Sequence, residues 1–74
     1  MLVIKITGQT YVVNASRINW VELTQDGSFL RIRFSPQDMI VFKKKDADLE
    51  ELLRTIHQAM WVKDGNWVFE GKIR

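Results

Sequence analysis

The side chains able to do chemistry in this chain of 74 residues are few and far apart. Its single histidine, His57, falls in a stretch of helical period. Its neighbours one turn away are Leu53, Arg54, Met60 and Trp61, none of which ligates a metal or orients an imidazole through a carboxylate. His57 therefore reads as a borderline residue near a helix C-terminus, where a positive charge is mildly favoured by the helix dipole. Ser16, Ser28 and Ser35 have no base at a recognisable spacing, and the four glycines form no phosphate-cradling loop. Asp46, Asp48, Glu50 and Glu51 lack the glycine and the terminal bidentate glutamate of a calcium loop, and helix capping accounts for them directly. The residues thus predict neither catalytic centre, metal site nor cofactor site, and the expectation is a protein that is not an enzyme.

Two constellations fit binding instead. Arg31 and Arg33 share a strand face with Phe29, and Lys43, Lys44 and Lys45 close the next strand. Arginine beside an exposed aromatic can stack bases and neutralise phosphate, as single-strand binders do. The ribonucleoprotein motif is absent, however, and a solvated outer face with edge-protecting lysines explains the same residues. The second constellation is aromatic: Trp61, Trp67 and Phe69 lie at and beyond the helix end, where surplus apolar surface would suit a protein partner. Packing of the tail against the sheet is the structural alternative.

These side chains have to be positioned by a small scaffold. At this length the chain is one domain, 1–74, near the lower limit for a self-sufficient core, so self-association would make up any shortfall. A hydrophobic content of 46% with three Trp and four Phe supplies the burial. The lack of cysteine excludes disulfides and thiolate metal sites and fits a reducing compartment. Met1 opens onto a strand pattern, and no stretch is apolar enough for a signal peptide or a membrane span. The expectation is a complete, soluble, cytoplasmic chain without membrane insertion. Residues 1–45 carry seven basic and three acidic groups, whereas 46–62 carry one and four, so the strands are basic and the helix acidic.

The hydrophobic period changes at Asp46. Before it, strands are predicted at Leu2 to Thr7, Thr10 to Asn14, Ile18 to Gln25, Ser28 to Phe34 and Met39 to Lys43. Gly8-Gln9 joins the first two, and Asn14 to Arg17 forms a turn or one helical loop. Asp26-Gly27 makes the strongest hairpin signal, and Ser35-Pro36-Gln37-Asp38 turns the chain again. In the fourth strand Leu30, Ile32 and Phe34 should face the core, with Phe29, Arg31 and Arg33 outward. Trp20, in register with Ile18, is expected in the core.

After it, Leu49, Leu52, Leu53, Ile56 and Met60 recur at helical spacing. Asp48 and Glu51 have capping-box spacing with Ala47 and Leu52 as a staple, Asp46 being an alternative cap. Glu50 and Arg54 are spaced for an ion pair. The helix is expected to run to about Lys63, with Gly65 closing it in the left-handed conformation and Trp67 to Phe69 forming a sixth short strand or arm; Asp64-Gly65 as a hairpin turn between Trp61-Val62 and Trp67-Phe69 is the alternative. The predicted class is α+β: an antiparallel β-meander of about five strands, with a sixth at the C-terminus, packed against one amphipathic helix.

Thr7-Gly8-Gln9-Thr10-Tyr11-Val12-Val13-Asn14, followed by Ile18, Val21, Glu22 and Thr24, resembles the small flagellar FlbD family over about residues 2–57. The likeness lies in hydrophobic and turn positions. Ser35-Pro36-Gln37 stands where the family usually has a glycine turn, and the Trp-rich tail extends past the family's usual end. The resemblance implies a non-enzymatic cytoplasmic accessory of motility and supplies no functional residues.

The sequence therefore predicts a non-catalytic protein-interaction or regulatory module, able to self-associate, docking through a sheet edge or through Trp61, Trp67 and Phe69. The alternatives are a nucleic-acid binder using Phe29, Arg31, Arg33, Lys43, Lys44 and Lys45, and a phage or bacterial adaptor.

Overall fold

The computed structural model describes residues 1–6, 8–62 and 65–71. Strand β1 (Leu2–Ile6) turns through Gly8, whose φ of +80° suits a residue without Cβ, into the antiparallel β2 (Gln9–Val13). Gln9 is opposite Ile6, so it belongs to the ladder and not to the turn. Asn14 then accepts from the Ser16 amide at 3.1 Å and caps a single 3₁₀ turn, Ala15–Arg17.

A second run of three strands follows: β3 (Trp20–Leu23), β4 (Phe29–Ser35) and β5 (Asp38–Lys43), each antiparallel to the next. Gly27 takes φ +75° in the first hairpin, where Asp26 accepts from both the Ser28 amide and the Thr24 hydroxyl. Pro36 and Gln37 form the second turn, between the paired residues Ser35 and Asp38. The helix α1 (Leu49–Trp61) is capped by the Asp48 carboxylate, which accepts from the Glu51 amide at 3.3 Å. The last element among the described residues is β6 (Trp67–Glu70).

The architecture is α+β, with mostly antiparallel strands packed against one helix. The strands divide into two three-stranded sheets, β2-β1-β6 and β3-β4-β5, instead of forming one ribbon. The last strand lies parallel to the first, with Leu2 opposite Trp67 and Ile4 opposite Phe69. Both inner faces and the helix share one core: Leu2, Ile4 and Ile6 from β1, Leu30 and Ile32 from β4, Phe42, and Leu49, Leu52, Ile56 and Ala59 from the helix. Ala47 and Leu52 are both buried, as a staple requires. Among the described residues no helix is long and apolar enough to cross a membrane.

Several local expectations are corrected. Trp20 is on the outer face at 38% exposure, because the alternation that carries Ile18 inward is reset before β3 begins: the Asn19 amide already bonds the Arg33 carbonyl at 2.8 Å. Val21 and Leu23, opposite Ile32 and Leu30, take the inner positions. Phe69 is 4% exposed and belongs to the core, so it offers no surface to a partner. Gly65 is not a left-handed cap, since its φ is not positive; α1 ends at Trp61 with Val62 as the cap residue. The expected extension to Lys63 lies outside the described residues, as do Thr7 of the first strand and Asp64 of the alternative hairpin. That hairpin does not form, because Trp61 is helical and β6 pairs with β1. Glu50 and Arg54 do not come within ion-pair distance; the ion pair among the described residues is Arg31 with Glu22.

Candidate functional site on the outer face of the meander sheet

The strand β4 buries Leu30 and Ile32 and so turns Phe29, Arg31 and Arg33 to the opposite side. Cross-strand register then decides which residues join them. Arg33 lies opposite Trp20 on β3 and Met39 on β5; Arg31 lies opposite Glu22 and Val41; Phe29 lies opposite Lys43. Side chains of paired residues project to the same face, so these eight form one continuous surface. Four of them are large apolar groups well open to solvent: Trp20 at 38%, Phe29 at 39%, Met39 at 44% and Val41 at 44%.

Both guanidinium groups are engaged within this surface. Arg31 donates through Nη1 to Glu22 Oε1 at 2.9 Å, a half-exposed pair contributing at most about 1 kcal/mol. Arg33 lies against the Trp20 ring, 5.2 Å from its centroid, and donates through Nη1 to the Pro36 carbonyl at 3.1 Å. Its Nη2 approaches Met39 Sδ at 3.5 Å, while its buried Nε has no partner among the described residues. The indole, guanidinium and thioether thus form one stacked row across three strands, held in shape before any partner arrives.

The remaining predicted residues are placed elsewhere. Lys44 and Lys45 leave the strand and line a depression of about 690 Å³ at the start of α1, among the carboxylates Asp26, Asp48, Glu50, Glu51 and Glu70. The basic group therefore splits: Phe29, Arg31, Arg33 and Lys43 come together, and Lys44 and Lys45 do not join them. Trp61, 75% exposed, donates its indole N–H to His57 Nε2 at 2.7 Å and meets that ring edge-on. Trp67 is half-buried, its Nε1 without a partner among the described residues and close against Gly65. The three tail aromatics therefore do not form a common surface: one is exposed, one half-buried and one buried.

Trp20, Glu22, Met39 and Val41 are the members of the outer face that sequence reasoning missed. Met39 and Val41 alternate with Ile40 and Phe42, which pack inward, so strand period alone could have found them. Trp20 could have been found only from the pairing of β3 with β4. Among the described residues, no three His, Asp or Glu side chains are grouped so as to hold a metal ion. Comparison with protein families, with curated proteins and with solved structures finds no match to this chain.

Proposed function

We propose that this protein is a non-enzymatic interaction module whose protein partner docks on the outer face of the β3-β4-β5 sheet. The observation that carries this reading is the set of four exposed apolar side chains, Trp20, Phe29, Met39 and Val41, assembled on one face around two oriented guanidinium groups. Tryptophan, arginine, phenylalanine and methionine are the residue types enriched at interface centres, and a preorganised row loses little side-chain entropy on docking. Lys43, opposite Phe29 and without a carboxylate partner among the described residues, adds one cation at the edge of this face, so the partner surface it suits is apolar at its centre with an acidic group at that rim. The FlbD-like pattern of the first strands offers a motility accessory as the cellular setting for such a module.

The nucleic-acid reading uses the same face and is weaker on physical grounds. Phosphate recognition needs free cationic donors, whereas Glu22 neutralises Arg31 and the Pro36 carbonyl and Trp20 ring hold Arg33. Lys44 and Lys45, which would extend the cationic track, are among carboxylates.

A photoreactive phenylalanine analogue placed at Val41 in cells tests the proposal against the same analogue at Glu50 on the helix. The expected result is a protein adduct of discrete mass from position 41 alone, lost when Trp20→Ala and Phe29→Ala are combined. Adducts equal from both positions, or none, remove the docking face. Titration with single-stranded and duplex oligonucleotides at low and high salt separates the alternative, since phosphate binding would weaken steeply with salt.

A further inference from the structure

A second surface lies between the two sheets. The edge of β2 faces the start of β5 across a cleft of about 510 Å³, lined by five consecutive residues, Thr10 to Asn14, and by Arg17, Phe34, Asp38 and Ile40. The two strands approach closely enough for Tyr11 and Phe42 to meet ring to ring at 5.4 Å, yet they belong to separate sheets and share no ladder.

The main-chain groups that face this cleft follow from the pairing of β1. The Trp67 amide donates to the Met1 carbonyl at 2.9 Å and the Gly71 amide to the Lys5 carbonyl at 2.7 Å, so odd-numbered residues of β1 turn their main chain toward β6. Its even-numbered residues therefore serve β2, where Leu2, Ile4 and Ile6 are opposite Val13, Tyr11 and Gln9. Among the described residues Thr10 and Val12 are therefore left with N–H and C=O groups on the unpaired edge, two residues apart. Half-buried Phe34 and Ile40 give the cleft an apolar wall, and Arg17, with no carboxylate partner among the described residues, stands just beyond the C-terminal end of β2.

We infer that this cleft accepts an extended peptide segment of a partner protein, which adds a strand to the free edge of β2 and sets an acidic residue beside Arg17. Donor and acceptor pairs repeating every second residue match another strand's main chain, and the apolar wall receives that strand's alternate side chains. The Arg17 guanidinium selects the charge at one end. This surface is separate from the outer face of β3-β4-β5, and the inference stands independently of docking there.

The test selects from a displayed library of nonapeptides with Val, Ile, Leu or Phe at alternate positions and random residues elsewhere, using the full chain as bait. Enriched peptides are then titrated by amide NMR and fluorescence anisotropy. The expected result is enrichment of Asp or Glu at one end, amide shifts centred on Thr10 to Asn14, and about tenfold or greater weakening in Val12→Pro, which removes an edge donor that β1 does not use. Arg17→Glu, at an exposed position, should switch the preferred end residue from acidic to basic, and it carries the test if Val12→Pro fails to fold. No enrichment, undiminished binding by a folded Val12→Pro, an unchanged end preference in Arg17→Glu, or shifts confined to Trp20, Phe29, Met39 and Val41 would overturn the inference.

Discussion

Asp26 shows how much local order one short side chain can impose. It accepts first from the Ser28 amide and then from the Thr24 hydroxyl, and these bonds hold its carboxyl below the ordinary value of 3.8. The Thr24 hydroxyl in turn accepts from the Phe29 amide at 3.1 Å, so the turn's polar groups are tied to the first residue of β4 and to the outer face it opens. Because the folded-state carboxyl is the stronger acid, ionised Asp26 favours the native state above the unfolded value. That contribution is lost as pH falls through the lower folded value. The expected outcome for Asp26→Asn, which keeps an acceptor oxygen but not the charge, is lower stability at neutral pH and a shallower decline below about pH 4 than in the unmodified chain. Urea denaturation at neutral pH and at about pH 3 measures it; parallel pH dependences in the two proteins would contradict it.

At the scale of elements, α1 is the most self-specified piece. Its apolar stripe was legible in the sequence, and its cap was narrowed to Asp48 or Asp46, of which the structure uses Asp48; Leu49, Leu52 and Ile56 are buried, with Leu53 and Met60 half-buried beside them. Asp48→Ala should cost about 1 kcal/mol through the unsatisfied Glu51 amide, lowering Tm by roughly 4–8 °C. Glu50→Ala, at an exposed position without an ion-pair partner among the described residues, should change Tm far less; calorimetry of both variants checks the contrast. The faces of β4 and the Asp26-Gly27 hairpin were legible for the same reason, since period and turn chemistry are local. What stayed hidden depends on partners distant in sequence. The phase of Trp20 is set by Arg33, and pairing with β1 decides that Trp67 and Phe69 turn inward and Val68 outward, because three apolar residues in succession carry no alternation. Half of the candidate surface, Phe29, Arg31, Arg33 and Lys43, was visible as a strand face with its lysine neighbour; Met39 and Val41 follow from the alternation of β5, and Trp20 and Glu22 entered it only through register.

For the molecule as a whole, the parallel pairing of β1 with β6 joins the two ends of the chain. The Met1 amino group donates to the Gly65 carbonyl at 2.9 Å across 64 residues, and Trp67 returns a bond to Met1. Two sheets that are not bonded to each other can be stable at this size only if they share a core, and Phe69 brings β6 into that core with Leu2, Ile4 and the helix. Phe69→Ala should therefore remove about 3–5 kcal/mol, most of the stability available to a domain this small. Val68, its exposed neighbour on the same strand, should tolerate alanine at about 0.5 kcal/mol. If the core is one cooperative unit, urea curves followed by far-ultraviolet circular dichroism and by tryptophan fluorescence will shift together in Phe69→Ala. A β2-β1-β6 sheet that melted early while α1 and β3-β4-β5 kept their native signal would instead mean that the two sheets fold as separable units joined only by contact.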